Sequence, residues 1–518
     1  VATLAVLVLP ALMPSAEAQT DLAPCGYVDR FDLPVPDIDL EYTDFGVYRA
    51  QFGGLHTGID VAFEQLGNPV QAAARGLVTY SDPEGWDTEK GVVVIQHTMP
   101  DGTLVNSLYG HMEELNGHTF PEVDQCVERG DVIGAIGFPS RGRPHLHFEV
   151  RTRYRSEGGP GYTSTNPLEL GWYHPLDFVY LANIWVLPAY RSHFSLFERP
   201  LLPPLPLADG TYVIAHSQYV EAITPDGQSL WRFDIFDSAT GLLALPDGRV
   251  LALTSTGQVL IVNNGNYSAS WQISGVKAGP LLFGSRLVFM LENNTLAAFS
   301  PDGSPLWQSA PLDGRLEQWA ISADRLAVTT KNNQLTILDA GGSVLVQATF
   351  PDLAIPAATA EGEFLLLHGS TVARIDQSLT ITPAFDTGRP VASGARLVPT
   401  TSGAIYIYTG EGRSLYAYAP DGTLLWIAYM PGSQLRPPLL GMGGGQLIYA
   451  LTTDGQLLAY ATSDGHLVAQ LALYNGGADG VTLSRWLDVQ PDDTVRFASG
   501  YLTTVTISGL DLLTPASP

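Results

Sequence analysis

The sequence predicts an all-β protein in two parts, a small antiparallel β-sheet domain followed by a β-propeller. Three observations predict it. Short β-like runs dominate and helical 3.6-residue stripes are scarce. A Pro- and aromatic-rich stretch, residues 186–208 (WVLPAYRSHFSLFERPLLPPLPLA with its flanks), separates two halves of different texture. Beyond it, the chain repeats itself about every 40 residues.

The first part, residues 19–185, carries irregular loops between runs such as PVQAAARGLVTYSD, KGVVVIQHT, TLVNSLYGHM, DVIGAIGF and HLHFEVRTRY. The second, residues 209–518, contains units starting near Asp209, Asp247, Ser285, Asp324, Glu361, Ser402, Gly445 and Asp492. Each unit has two alternating strands, a D-G-like turn and a third strand that often carries tryptophan (Trp231, Trp271, Trp307, Trp426), with a further strand before the next unit. One such twisted sheet cannot bury both faces unless copies flank it, so the repeat implies a ring of four-stranded blades with the tryptophans packed between them. Eight units can be counted. Seven blades stay open as an alternative, because the last unit lacks a clear fourth strand.

Composition limits the function. Of 518 residues 45% are apolar, enough for real cores, and only 15% are charged. With 26 Lys+Arg against 52 Asp+Glu the net charge is −26, which disfavours nucleic acid and anionic membrane surfaces as partners. Two cysteines, Cys25 and Cys126, are too few for a disulfide scaffold or a zinc knuckle. They can form one bridge or remain two thiols.

The N-terminus points to export. Residues 2–13 are apolar but broken by Pro10, and Ala16-Glu17-Ala18 has the form of a signal-peptidase site. Residues 1–18 therefore read as a signal peptide with a truncated start, with a retained anchor as the other reading. The expectation is a secreted or periplasmic, cell-envelope protein with no membrane span in the mature chain.

Chemistry concentrates in the first part. LHTGIDVA places His56 and Asp60 four apart, SLYGHMEEL presents His111, and RPHLHFEVR places His145 and His147 two apart. On a strand His145, His147 and Glu149 would share one face. Imidazoles side by side are costly to bury unless a metal or hydrogen bonds satisfy them. Three ligands drawn from these five residues would leave two imidazoles for proton transfer and oxyanion stabilisation. No HExxH occurs, so no glutamate base of that type is available. Glu149 reads either as a hydrogen-bond partner of a ligand or as a surface salt bridge. The other seven histidines (His97, His118, His174, His193, His216, His368, His466) read as structural or exposed.

In this order, H-x-x-x-D, Y-G-H and H-x-H-F-E resemble the lysostaphin-type (LytM, glycyl-glycine endopeptidase) zinc metallopeptidase family, and GNPVQAAARGLV and VERGDVIGAIG are similar to its intervening motifs. The resemblance runs over residues 50–182. It implies zinc held by His56, Asp60 and His147, with His111 and His145 as the catalytic histidines. It also implies peptidoglycan, its stem peptide or cross-bridge, as the substrate, while a second enzyme reading keeps the chemistry and makes an extracellular protein the substrate. A non-catalytic envelope scaffold is the competing reading. The loop GFPSRGRPH, with Arg141 and Arg143, replaces the family's Thr/Ser-Gly-rich loop. The repeats resemble the quinoprotein-type (PQQ-like) propeller repeat over residues 205–510. That half contains no cysteine for a disulfide lid over a quinone, so it is read as a binding or targeting module with a possible protein partner.

Overall fold

Strands occupy both parts of the chain, and they are short because Gly, Pro and Asx turns interrupt the apolar runs every few residues. The computed structural model describes residues 23–35, 44–153, 156–196, 200–431, 436–474, 485–498 and 503–513. The expected signal segment, 1–18, lies outside them. The chain divides into two compact units, Val1–Leu187 and Pro188–Pro518. Among the described residues no helix is long and apolar enough to cross a membrane.

Among its described residues the first unit has twelve strands and one α-helix: β1 (Tyr48–Arg49), β2 (Gly54–His56), β3 (Ile59–Val61), β4 (Pro69–Gln71), β5 (Gly76–Asp82), β6 (Gly91–Thr98), β7 (Leu104–Glu113), β8 (Cys126–Val127), β9 (Val132–Ile136), β10 (Leu146–Arg151), β11 (Tyr162–Thr163), β12 (Trp172–Tyr173) and α1 (Pro175–Trp185). Strands β1, β2 and β11 form a small sheet. The remaining nine form a larger one ordered β12-β10-β7-β6-β5-β8, with β3 on β10 and β9 joining β4 to β7. The unbroken apolar run Val92–Ile95 places β6 at the centre, buried on both faces. Val92, Val94 and Leu108 pack together there beneath Tyr80 and Trp86. Helix α1 starts where Pro175 fits the first helical position and His174 Nδ1 accepts the Leu176 N–H at 3.2 Å. A disulfide joins Cys25 to Cys126, their Cα atoms 5.5 Å apart.

The second unit is a β-propeller whose described residues form eight four-stranded sheets. Seven use consecutive strands, the first being Leu205–Pro206, Tyr212–Ala215, Tyr219–Ile223 and Ser229–Asp234. The eighth takes Trp486–Val489, Thr494–Ala498 and Thr503–Ser508 from the end of the chain and its outer strand from β13 (Tyr190–Ser195). The stretch expected as a linker, 186–208, thus holds two strands. One of them is the fourth strand that the last repeat lacked. Phe194 and Leu196 then pack with Tyr212, Ile214, Ile223 and Trp486, joining last sheet to first.

The W…D-G repeat has a steric cause. A Cβ on Gly303 would lie 2.4 Å from Trp271, and one on Gly342 would lie 2.4 Å from Trp307, so each tryptophan of one sheet rests on the turn glycine of the next. Both glycines also have positive φ. Trp307 Nε1 donates to the Ala340 carbonyl at 3.1 Å and Trp426 Nε1 to that of Thr462 at 2.9 Å, so these indole N–H groups are satisfied in the same contact.

Candidate metal centre

His56 ends β2 and Asp60 sits within β3, so the short Thr57-Gly58 link carries the chain from the small sheet to the large one. Glycine is required in that link, because a Cβ on Gly58 would lie 2.5 Å from the Phe148 carbonyl oxygen and 2.9 Å from the His147 ring. In β10, His147 stands opposite Asp60 of β3 on one side and opposite Gly110 of β7 on the other. Sheet register therefore gathers the three motifs. One ligand atom from each of His56, Asp60 and His147 lies within 4.8 Å of the others, and all three residues are buried.

Their orientation is set by neighbours. His56 Nδ1 donates to the Asp44 carbonyl at 3.1 Å, which leaves Nε2 as a lone pair. His147 Nε2 donates to Glu149 Oε1 at 2.9 Å, which leaves Nδ1 as a lone pair. These two nitrogens face each other at 2.9 Å, and Asp60 Oδ1 stands 3.3 Å from the first and 3.2 Å from the second. Arg49 holds the other oxygen, Oδ2, at 3.0 Å. Three lone pairs thus converge on one point, an arrangement that calls for a cation, and two imidazoles with one carboxylate suit a zinc-like ion. The electrostatics show the same demand for positive charge, which a proton on His56 meets when no ion is held. Burial alone would lower the His56 pKa, but hydrogen bonds to Asp44 and Asp60 outweigh it and raise it to about 9. Burial would raise Asp60, yet its hydrogen bonds to His147 and His56 hold it well below the usual carboxylate range.

His111 and His145 flank this point. Their ring centroids are 4.6 Å apart, and His145 Nε2 is 3.6 Å from Asp60 Oδ1. Each donates its Nδ1–H to a carbonyl, His111 to Glu89 at 2.8 Å and His145 to Arg143 at 2.7 Å, so each keeps an Nε2 lone pair. His111 adopts φ 60°, an uncommon left-handed conformation at the end of β7, with Gly110 before it pressed against Trp86. Burial, reinforced by the neighbouring His145 and His147, lowers the His111 pKa to about 3. His145 precedes β10 instead of lying within it, so the expected shared strand face holds only for His147 and Glu149.

All five residues named from the sequence are therefore close together. The surface salt-bridge reading of Glu149 is corrected. Glu149 is fully buried and accepts from Thr57 Oγ1, from His147, and at 2.9 Å each from Trp172 Nε1 and Arg151 Nη1. Its own burial would raise its pKa, but the hydrogen bond to His147 leads the effects that lower it to about 2. Sequence reasoning missed Asp44, Arg49, Trp86 and Tyr162, which belong to no motif. Of the other histidines, His97 is buried between the Arg75 carbonyl and Ser107, and His174 caps α1. The site opens into a cleft of ≈ 350 Å³ lined by Phe52, Phe63, Trp86, Tyr162, Arg141 and Arg143 among others.

Residues 54–159 match the profile of peptidase family M23, the LytM-type metallopeptidase family, and residues 292–510 match that of the outer membrane protein assembly factor BamB. No curated protein matches the chain. Similar solved structures include BamB from Moraxella catarrhalis, at 15% identity over 62% of this chain and 99% of that one with a TM-score of 0.45. The computationally designed Ika8 protein gives 13% identity, 61% and 98% coverage and a TM-score of 0.47. The C-terminal WD40 domain of Sif2 gives 11%, 64% and 97%, and 0.43.

Proposed function

We propose that the first unit is a zinc metalloendopeptidase acting outside the cytoplasm on peptide bonds of peptidoglycan, and that the propeller is its binding or targeting module. The observation that carries this reading is the meeting of three lone pairs, from His56, Asp60 and His147, with two further imidazoles beside them. The disulfide Cys25–Cys126 supports an oxidising compartment.

His56 Nε2, Asp60 Oδ1 and His147 Nδ1 would hold the ion. When bound, it supplies Lewis acidity that makes water a nucleophile near neutral pH and polarises the scissile carbonyl. The protein's own contribution is proton traffic and charge stabilisation. Burial keeps His111 neutral, and its Nε2 can take the proton as water oxygen bonds to the carbonyl carbon. A histidine that then gives its proton to the departing nitrogen as the C–N bond breaks closes the balance, yielding one carboxylate and one amine. His145 Nε2 stands beside Asp60, and with a proton on that nitrogen it can donate a hydrogen bond to the oxyanion. Glu149 and Asp44 act through the ligands by fixing their tautomers.

Zinc content and release of new amino groups from purified cell wall, compared between wild type and His147→Ala, test the reading. Zinc and wall hydrolysis in the wild type, both lost in the variant, are expected. Wall binding without zinc or amine release would instead indicate a scaffold, and release from casein but not wall would indicate a protein substrate.

A further inference from the structure

The loop entering β10, Ser140-Arg141-Gly142-Arg143-Pro144, puts two arginines into the cleft of a chain with only half as many basic as acidic residues. Gly142, at φ 91°, turns the backbone between them. Their guanidinium groups lie at the ends of two aromatic stacks. Arg143 Cζ is 4.8 Å from the Phe63 centroid, and Phe63 stacks on His145 at 5.2 Å. Arg141 Cζ is 6.0 Å from the Phe52 centroid, Phe52 stacks on Tyr162 at 4.5 Å, and Tyr162 on His56 at 5.3 Å. Each stack leads inward to an imidazole of the metal centre.

Of the other charges lining the cleft, Arg49 is already paired with the carboxylates of Asp44 and Asp60, whereas no ion pair with a described residue neutralises Glu89. Glu89 accepts from Ser140 Oγ. Among the described residues Arg143 pairs only with Glu64, at 3.6 Å, a pair exposed by about 60% on both sides (63% and 62%) and therefore weak in water. Arg141 forms no ion pair with a described residue. A guanidinium lying on an aromatic face is held in orientation while its N–H edge stays open to a carboxylate.

We propose that Arg141 and Arg143 form a carboxylate clamp, so that the cleft selects peptides bearing an acidic group near the scissile bond. This rests on the metallopeptidase reading above. The Arg143 stack spans about 10 Å from His145, or about three residues of extended peptide, and that sets how far from the bond the acidic group sits.

The test is fluorescence anisotropy on the full chain in a His111→Gln background, which stops turnover. Two labelled peptides are compared that differ only in Glu against Gln three residues from a central Gly-Gly. The Glu peptide should bind about tenfold tighter at low salt, as charge-assisted pairing requires, with the preference shrinking as salt rises. It should fall below about twofold in Arg141→Gln/Arg143→Gln and survive partly in the double Lys variant. Arg75→Gln, whose side chain pairs with Glu128 and does not line the cleft, should keep it. Equal affinity for both peptides in the parent, or a preference unchanged in the double Gln variant, overturns the clamp. Zinc content and amine release are measured on wild type in parallel. A preserved Glu preference without either would sink the peptidase reading and leave the clamp standing.

Discussion

Glu149 takes the Nε2–H of His147 at 2.9 Å from a position with no solvent exposure, and the same carboxylate is the acceptor for Thr57, Trp172 and Arg151. One buried group thereby decides which nitrogen of His147 faces Asp60.

Glu149→Gln should separate orientation from ligation. The amide can still accept but carries no charge, and the buried Arg151 would lose its ion pair with the Glu149 carboxylate. Zinc affinity should fall about 10–100-fold, and stability by about 3 kcal/mol, the lower end for breaking a buried ion pair. Competitive zinc titration and urea unfolding read the two effects.

Gly58→Ala adds one methyl where the Phe148 carbonyl and the His147 ring already stand within 3 Å of its place (2.5 and 2.9 Å). His147 must shift, so bound zinc should drop while the secondary structure persists. Metal analysis beside circular dichroism checks this, and full zinc occupancy would contradict it.

His97 supplies a pH dependence remote from the metal centre. Burial lowers its pKa from 6.5 to about 4. Between those values the unfolded chain binds the proton and the folded one does not, so this stability is complete above pH 6.5 and is lost as pH falls through 4. The span corresponds to about 3 kcal/mol. Urea midpoints from pH 7 to 4 should decline more steeply in wild type than in His97→Gln.

Reducing the disulfide removes a constraint on a loop with a sequence separation of 101 residues. Chain entropy sets an upper bound of about 4.7 kcal/mol on its contribution. Cys25→Ser/Cys126→Ser should lower the unfolding midpoint of the first unit, measured on the full chain by amide hydrogen exchange, without changing zinc content.

What the sequence made legible was local. His145-x-His147 and His56-x-x-x-Asp60 are short spacings along the chain, so these four residues, with His111 of the Y-G-H motif, could be named before any fold was known. Asp44 and Arg49 act through distances set by sheet register and side-chain packing, and no spacing encodes them, whereas Glu149 was placed beside His147 by its two-residue spacing on β10. The propeller repeat was equally visible, because Trp and D-G recur for a steric reason. β13 was not, since its partner strand Thr503–Ser508 lies at the other end of the chain and its own sequence, YRSHFS, has no repeat to match. The exposed alternative for Glu149 failed because its neighbours Thr57 and Trp172 come from elsewhere in the fold.

The pairing of Tyr190–Ser195 with Thr503–Ser508 makes the second unit a closed circuit whose first and last strands are neighbours. A fragment begun at residue 209 would leave the Thr503–Ser508 edge bare, a template for recruiting a second molecule, whereas one begun at 188 keeps it covered. Size-exclusion chromatography should find the shorter fragment self-associated and the longer one monomeric. By the same logic, fusing the two ends and opening the chain at a turn between other sheets should preserve the ring, making it a candidate for circular permutation.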